Sequence, residues 1–215
     1  MKSNVIGFIG FTCVGKSTIV EHLRKQVKHE SIVASISYID TDREVCKRLN
    51  KKHIFQVYEE YVNGRDRQDA LKKIEEAEND FLENFHSKTE YSIIAFSPMI
   101  PGRKNWGRFI ESQNPINIFL KVDAETAYRR LFHRRTEQIQ DLCNYKNLGS
   151  WDQGMLTCYD DLNKQHIDLS KDESLKKISE LIEQNESSYY NRFEKSFRSD
   201  EMRECRKYVL SLIRK

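Results

Sequence analysis

The sequence predicts an α/β fold in which a five-stranded parallel sheet carries helices on both faces. Short apolar runs alternate with amphipathic helical stretches, which is the pattern of parallel strands joined by crossover helices. Only 8 glycines and 3 prolines occur among 215 residues, which disfavours the turn-rich folds built from strands alone. Aromatic residues make up 11% of the chain, so we expect a packed core rather than wholesale disorder.

The first half of the chain supplies three of the strands and most of the connecting helices. Strands are predicted from apolar runs over residues 5–9, 32–39 and 91–96. Helices are predicted from Lys16 onward and over residues 43–50, 54–62 and 65–86. In the helix that begins at Lys16, apolar residues at 19, 20, 23 and 27 form the buried stripe.

The second half of the chain supplies two further strands. A clear strand is predicted over residues 116–122 and a weak one over residues 166–169. Helices are predicted over residues 105–111, 123–135, 172–184 and 189–213. The helix over 123–135 begins with acidic residues and ends with basic ones, as the helix dipole favours.

Charge is unevenly distributed, and its distribution suggests how the chain is divided. The formal net charge is +3, whereas residues 189–215 alone carry eight basic and four acidic residues. We therefore predict one domain over 1–185 and a basic C-terminal helical extension over 186–215. We interpret the extension as a solvated helix docked on its own domain, in preference to a tail that binds nucleic acid or an acidic partner.

Two composition signals concern the location of the protein. No run of 18 apolar residues occurs, so we expect no transmembrane helix. The five cysteines are odd in number and contain no C-x-x-C pair, which favours reduced thiols in the cytoplasm over disulfides or a zinc site. The sequence leaves the oligomeric state open.

A phosphate-binding loop is predicted between the first strand and the first helix. The segment from Gly10 to Ser17 satisfies G-x4-G-K-[ST] in the strand-turn-helix context that this motif requires. Backbone N–H groups and the helix N-terminus would hold phosphates, Lys16 would reach the β- and γ-phosphates of ATP, and the Ser17 hydroxyl would ligate Mg²⁺. The nucleotide-binding residues predicted here are Gly10, Thr12, Cys13, Val14, Gly15, Lys16, Ser17 and Thr18.

A pair of carboxylates follows the second strand. Asp40 and Asp42 lie at the carboxyl end of that strand, the edge at which open parallel sheets bind ligands. One carboxylate can hold Mg²⁺ through water while the other accepts a proton from an attacking hydroxyl. The alternative is that one of them merely caps the helix over 43–50, although a cap does not require a pair.

Over residues 4–184 the chain resembles the shikimate kinase family. Besides the loop at 10–17 and the segment 38–42, the similarity includes Arg65 within Gly-Arg-Asp-Arg-Gln at 64–68, which is similar to the Phe-Arg-x-x-Glu segment of the family. Residues 119–122 with 128–131 look like the fourth strand and the helix that leads into the lid of the family. A Tyr-Asp-Asp sequence at 159–161 resembles the end of that lid.

The resemblance implies a P-loop kinase, a three-layer α/β sandwich that phosphorylates a hydroxyl of a cyclic carboxylic acid with MgATP. Asp40 would serve Mg²⁺ and its water, and Asp42 would hold the acceptor hydroxyl and act as the base. Arg65 would bind the substrate carboxylate, and Arg130 would lie against the adenine. Within a lid over about 134–158, the resemblance implies a cation above the phosphates at one of two positions, Arg134 or Arg135.

The acceptor pocket departs from the family pattern. Residues 97–103, which include Pro98 and Pro101, stand where the family has three successive glycines, and no arginine immediately precedes Tyr159. Arg103 would then supply a cation from another side. We therefore predict a small hydroxylated anion, in preference to shikimate itself, as the best acceptor.

Two other functions are compatible with the phosphate loop. A nucleoside or nucleotide kinase would have the same loop, but the second carboxylate after strand two would repel a phosphate acceptor. A non-catalytic nucleotide-binding module could act on a partner through its basic tail. Because Asp42 accompanies the complete Lys16-Ser17 pair, the sequence favours an active phosphotransferase.

Overall fold

The computed structural model describes residues 4–11, 13–30, 32, 34–51, 67–96, 108–109, 112–130, 171–188 and 193–213. Five parallel strands form one sheet in the order β2-β3-β1-β4-β5. The strands are β1 (Val5–Gly10), β2 (Ile36–Asp40), β3 (Tyr91–Ala95), β4 (Ile116–Lys121) and β5 (Lys195–Arg198). The predicted five-stranded parallel α/β fold is therefore confirmed.

Helices connect and cover the strands. They are α1 (Lys16–His29), α2 (Thr41–Arg48), α3 (Arg67–Glu83), α4 (Lys171–Ser188) and α5 (Met202–Ile213). Residues 124–130, after β4, are also helical. None of the helices in the described ranges is both long and apolar enough to cross a bilayer.

The core lies on both faces of the sheet because alternate residues of β1 point to opposite sides. Ile6 and Phe8 belong to a cluster that includes the apolar faces of α1 and α5. Val5 and Ile9 belong to a second cluster with apolar residues of α3. Helices therefore bury both faces of the central strand, as expected for a parallel sheet.

Two predicted boundaries differ from the structure near the edge strand. β2 begins at Ile36 and not at Ile32, since the backbone N–H of Ile32 donates to Val27 O (3.3 Å) at the end of α1. The helix predicted over 43–50 runs over 41–48, because Asp40 caps it and Asp42 lies in its first turn.

The helix predicted over 189–213 is wrong in its first part. Residues 195–198 form β5, which pairs with β4 through Leu120 and Phe197 and joins the central sheet. The remainder is α5, whose buried residues Cys205, Val209 and Leu210 pack in the same cluster as α1. Three other predictions fall wholly outside the described residues: the helix over 54–62, the strand over 166–169 and the lid over 134–158.

Candidate active site

Two glycines give the turn between β1 and α1 its shape. Gly10 has φ +139°, and a Cβ there would stand 2.4 Å from the carbonyl oxygen of Leu120 on β4. Gly15 has φ +105°, and a Cβ there would stand 2.6 Å from Cε of Met202, the first residue of α5. Residues that carry a side chain rarely adopt such positive φ values, so both positions require glycine.

Lys16 places a positive charge inside this turn. It is the first residue of α1, and only 9% of it is exposed. Its ammonium donates to the carbonyl oxygens of Gly10 (2.9 Å) and Phe11 (2.8 Å). The charge is therefore held at the helix N-terminus, where the partial positive charge of the helix dipole also favours an anion.

A short hydrogen bond joins the turn to the end of β2. The Ser17 hydroxyl donates to Oδ2 of Asp40 at 2.6 Å. The other oxygen of Asp40, Oδ1, accepts from the backbone N–H groups of Asp42 (3.1 Å) and Arg43 (3.5 Å) and so caps α2. Asp40 is therefore the cap of α2, the alternative that the sequence left open for one aspartate, and it also bonds the phosphate loop through Ser17.

Asp42 lies half-buried in the first turn of α2, beside the end of β3. The hydroxyl of its neighbour Thr41 donates to the carbonyl oxygen of Ala95 (3.2 Å), the last residue of β3. This bond fixes the start of α2 against the sheet. The structure therefore brings Asp40, Asp42 and the turn after β1 to one edge of the sheet, as the topology of parallel strands requires.

Arg130 reaches the same turn from the helical residues 124–130. Its guanidinium donates to the carbonyl oxygens of Cys13 (3.3 Å) and Val14 (3.2 Å). Cys13 has φ +59°, a left-handed conformation unusual for a residue other than glycine. Arg130 is thus placed at the loop that would surround the phosphates.

Met202 is a residue of the site that sequence reasoning missed. Its methyl group lies over Gly15, so α5 forms one wall of the phosphate loop. A methionine that follows Ser-Asp-Glu carries no local signal of this contact, since only the docking of α5 beside α1 creates it.

Several predicted site residues lie outside the described residues. They are Thr12, Arg65, Arg103, Arg134 and Arg135. Thr18 is described, and it lies exposed on the first turn of α1 next to Ser17.

These residues fit MgATP. A turn whose glycines cannot carry a Cβ, a buried ammonium and a hydroxyl bonded to a carboxylate form the donor set that phosphates and Mg²⁺ require. Ser17 and Asp40 offer oxygen atoms to the metal, and Lys16 offers charge to the phosphates. The fold and the site together define a P-loop phosphotransferase.

Comparison with known proteins narrows this class. A family model described as shikimate kinase matches residues 12–186. The chain is 27% identical over 135 residues to a shikimate kinase of Flavobacterium johnsoniae, a match that covers 62% of this chain and 68% of that relative.

Solved structures share the fold. A shikimate kinase of Bacteroides thetaiotaomicron matches over 99% of both chains, with a TM-score of 0.58 and 16% identity. A shikimate kinase of Acinetobacter baumannii in complex with shikimate matches over 99% of this chain and 93% of its own, with a TM-score of 0.58 and 14% identity. At these identities the likeness concerns the fold.

The chain belongs to the shikimate kinase family, because the family model spans more than half of it. It is an ATP-dependent small-molecule kinase that transfers a phosphoryl group to a hydroxyl of a small metabolite, with ATP and Mg²⁺. The predicted family, enzyme class and cofactors are confirmed.

Proposed function

We propose that Lys16, Ser17 and Asp40 hold the triphosphate and its metal, and that Asp42 takes the proton from the acceptor hydroxyl. The hydrogen bond between Ser17 and Asp40 (2.6 Å) carries this proposal, because it joins the phosphate loop to the carboxylate segment. ATP supplies the phosphoryl group, and Mg²⁺ neutralises charge on it. Lys16 stabilises the charge that develops on the γ-phosphoryl oxygens.

Arg130 completes the nucleotide side of the proposed site. Its bonds to Cys13 O and Val14 O hold the guanidinium beside the phosphate loop. A planar guanidinium in this place can also stack on a base, and we propose that Arg130 contacts the adenine of ATP. The predicted phosphate contact of Arg134 or Arg135 stays a prediction, as do the nucleotide contacts of Gly10, Thr12, Cys13, Val14, Gly15 and Thr18.

For the acceptor we propose a small hydroxylated anion bound by Arg65 and Arg103. Two further features support a hydroxyl acceptor over a phosphate acceptor: Asp42 adds negative charge at this edge of the sheet, and the family is defined by phosphorylation of an alcohol. A carboxylate is suited to guanidinium groups because the contacts can be bidentate.

The preferred acceptor should be a relative of shikimate and not shikimate. The chain lacks the arginine that the family has before Tyr159, and loss of one charge-assisted contact of about 1.5–3 kcal/mol weakens binding roughly 10–150-fold. Steady-state kinetics on shikimate, other ring hydroxy acids, nucleosides and nucleoside monophosphates would rank the acceptors. A kcat/KM for shikimate of about 10⁴ M⁻¹s⁻¹ or more would contradict this expectation. Turnover of nucleosides alone would instead favour a nucleoside kinase.

Substitution of Asp40 with asparagine should raise the Mg²⁺ requirement. The amide oxygen can keep the helix cap, and the NH2 group that then faces Ser17 donates to its hydroxyl, but the amide has no charge to hold a hydrated cation. Loss of such an outer-sphere ligand typically weakens metal affinity about 10–100-fold. Activity measured against Mg²⁺ concentration should shift by this factor, with a thermal midpoint near that of the parent protein. An unchanged Mg²⁺ curve would restrict Asp40 to capping.

We also propose a reducing, cytoplasmic location. The thiols of Cys46 and Cys205 are buried outside any disulfide, and burial raises their pKa values to about 11 and about 12. Burial makes these thiols unreactive, and cysteines that stay outside disulfides are typical of proteins kept in reducing compartments.

A further inference from the structure

A cavity separate from the proposed site lies at the edge of the sheet, between β2 and the second half of α1. Its volume is about 530 Å³, within the range of about 300–1,000 Å³ that small-molecule sites occupy. The residues that line it lie between positions 24 and 38, and α1 rises about 12–18 Å from Lys16 to residues 24–28. The cavity is therefore at the other end of α1 from the phosphate loop.

The floor of the cavity is apolar. Ile36 and Tyr38 are alternate residues of β2 and share one face of the sheet. Across the sheet, Tyr38 is level with Ile93 of β3, which pairs in turn with Ile6 of β1. Ile93 and Ile6 are fully buried, whereas Ile36 and Tyr38 are only half-buried. Within the described part of the chain, the apolar surface that is covered on the central strands thus stays open on the edge strand. Two more half-buried apolar residues, from the segment before β2, complete the floor: Ile32 and Ala34.

The rim of the cavity is cationic. Arg24, Lys25 and Lys28 line it from α1, and no acidic residue lines it within the described ranges. Glu21 pairs with Arg24 at 3.0 Å and with Lys25 at 3.8 Å, so this stretch of helix keeps a net positive charge. Arg24 and Lys28 are about one turn apart, a spacing at which like charges repel each other. A bound anion would relieve this repulsion.

We propose that the cavity binds a small organic anion with an apolar ring or chain, its charge held at the rim by α1 and its apolar body on the floor formed by β2. The apolar body would remove the half-exposed side chains of the floor from water. A carboxylate or a similar anionic group would accept charge-assisted hydrogen bonds from Arg24 and the lysines. A neutral molecule would leave the cations unused, and an inorganic anion would leave the floor uncovered. This inference does not depend on the proposed roles of the catalytic residues.

Binding of a probe with this chemistry tests the proposal. Full-length ¹⁵N-labelled protein, with the phosphate loop saturated by MgADP, would be titrated with naphthalene-2-carboxylate. The amide signals of residues 24–28 and 34–38 should shift, with a dissociation constant of about 1 mM or below. Naphthalene-2-carboxamide has the same shape without the charge and should bind about tenfold more weakly. Acetate has the charge without the ring and should leave these signals unchanged at the same concentrations.

Variants of the rim locate the binding site. Arg24→Gln combined with Lys28→Gln removes two exposed charges from the rim and should weaken binding of naphthalene-2-carboxylate at least about tenfold. The control combines Lys47→Gln with Lys72→Gln, which changes the net charge equally at exposed positions of α2 and α3 and should keep the affinity of the parent protein.

Four results would overturn the proposal. They are shifts confined to residues outside the cavity, equal affinity for the carboxamide, an affinity that the rim variant leaves unchanged, and an equal loss in the rim variant and the control. Signals of residues 24–38 that move with protein concentration alone would assign the cavity to a second copy of the chain, and this would overturn the proposal as well.

Discussion

Substitution of Lys16 with methionine should abolish phosphoryl transfer and weaken ATP binding. Methionine fills a similar volume but removes the ammonium that the structure holds at the carbonyl oxygens of Gly10 and Phe11. Loss of one preorganised charge or donor from a transition state typically costs at least about 10²–10³-fold in kcat. ATP consumption in the presence of the best acceptor would measure the loss, and calorimetric titration would measure the affinity for ATP.

A matched control for this substitution is Lys25→Met. Lys25 is on the same helix, its side chain is 73% exposed, and it pairs only weakly with Glu21 at 3.8 Å. This variant should retain the activity of the parent protein. Normal ATP affinity and turnover in Lys16→Met would show that the nucleotide binds elsewhere, whatever the control does.

The phosphate loop could be predicted because its determinants are local. The left-handed φ values of Gly10 and Gly15 and the start of α1 at Lys16 all follow from one stretch of sequence. The position of Asp40 at the same edge followed from the rule that parallel strands end together. Its bond to Ser17, 23 residues earlier, needed the three-dimensional register of β1, β3 and β2.

The fifth strand could not be predicted from local pattern. β5 has the sequence Lys-Ser-Phe-Arg, in which only Phe197 is buried. A single buried apolar residue gives no alternating pattern by which a strand could be recognised. Four residues flanked by charges are equally compatible with a helix. Pairing with β4, more than 70 residues earlier in the chain, selects the extended conformation, and Tyr208 of α5 packs beside Phe197 at 5.8 Å between ring centroids.

The carboxylate pair shows how a helix boundary can alter an interpretation. The predicted start at residue 43 placed both aspartates before the helix, whereas α2 begins at Thr41. Asp40 is therefore the cap, and Asp42 belongs to the helix. The burial of Glu78 had no signal in the sequence, because the neighbouring acidic residues Glu76, Asp80 and Glu83 of the same helix are exposed.

Asp42→Asn should preserve ATP binding and lose turnover. Asparagine has nearly the same shape, and loss of a charge from the first turn of α2 costs only about 0.3–1 kcal/mol of helix stability. The amide cannot accept the proton of the acceptor hydroxyl, and loss of a general base typically lowers kcat about 10²–10⁴-fold. Single-turnover measurement of phosphoryl transfer, together with calorimetric ATP affinity, would separate the chemical step from binding.

The control for Asp42→Asn is Glu44→Gln, which removes the other acidic charge from the first turn of α2. Glu44 pairs with the exposed Lys47 and the partly exposed Arg48, both on its own helix, and such helix-surface pairs contribute little, so turnover should stay near that of the parent protein. If both variants lost turnover equally, the cause would be the charge at the helix start and not proton transfer. Turnover of Asp42→Asn within a few-fold of the parent protein would mean that the acceptor hydroxyl loses its proton to another group.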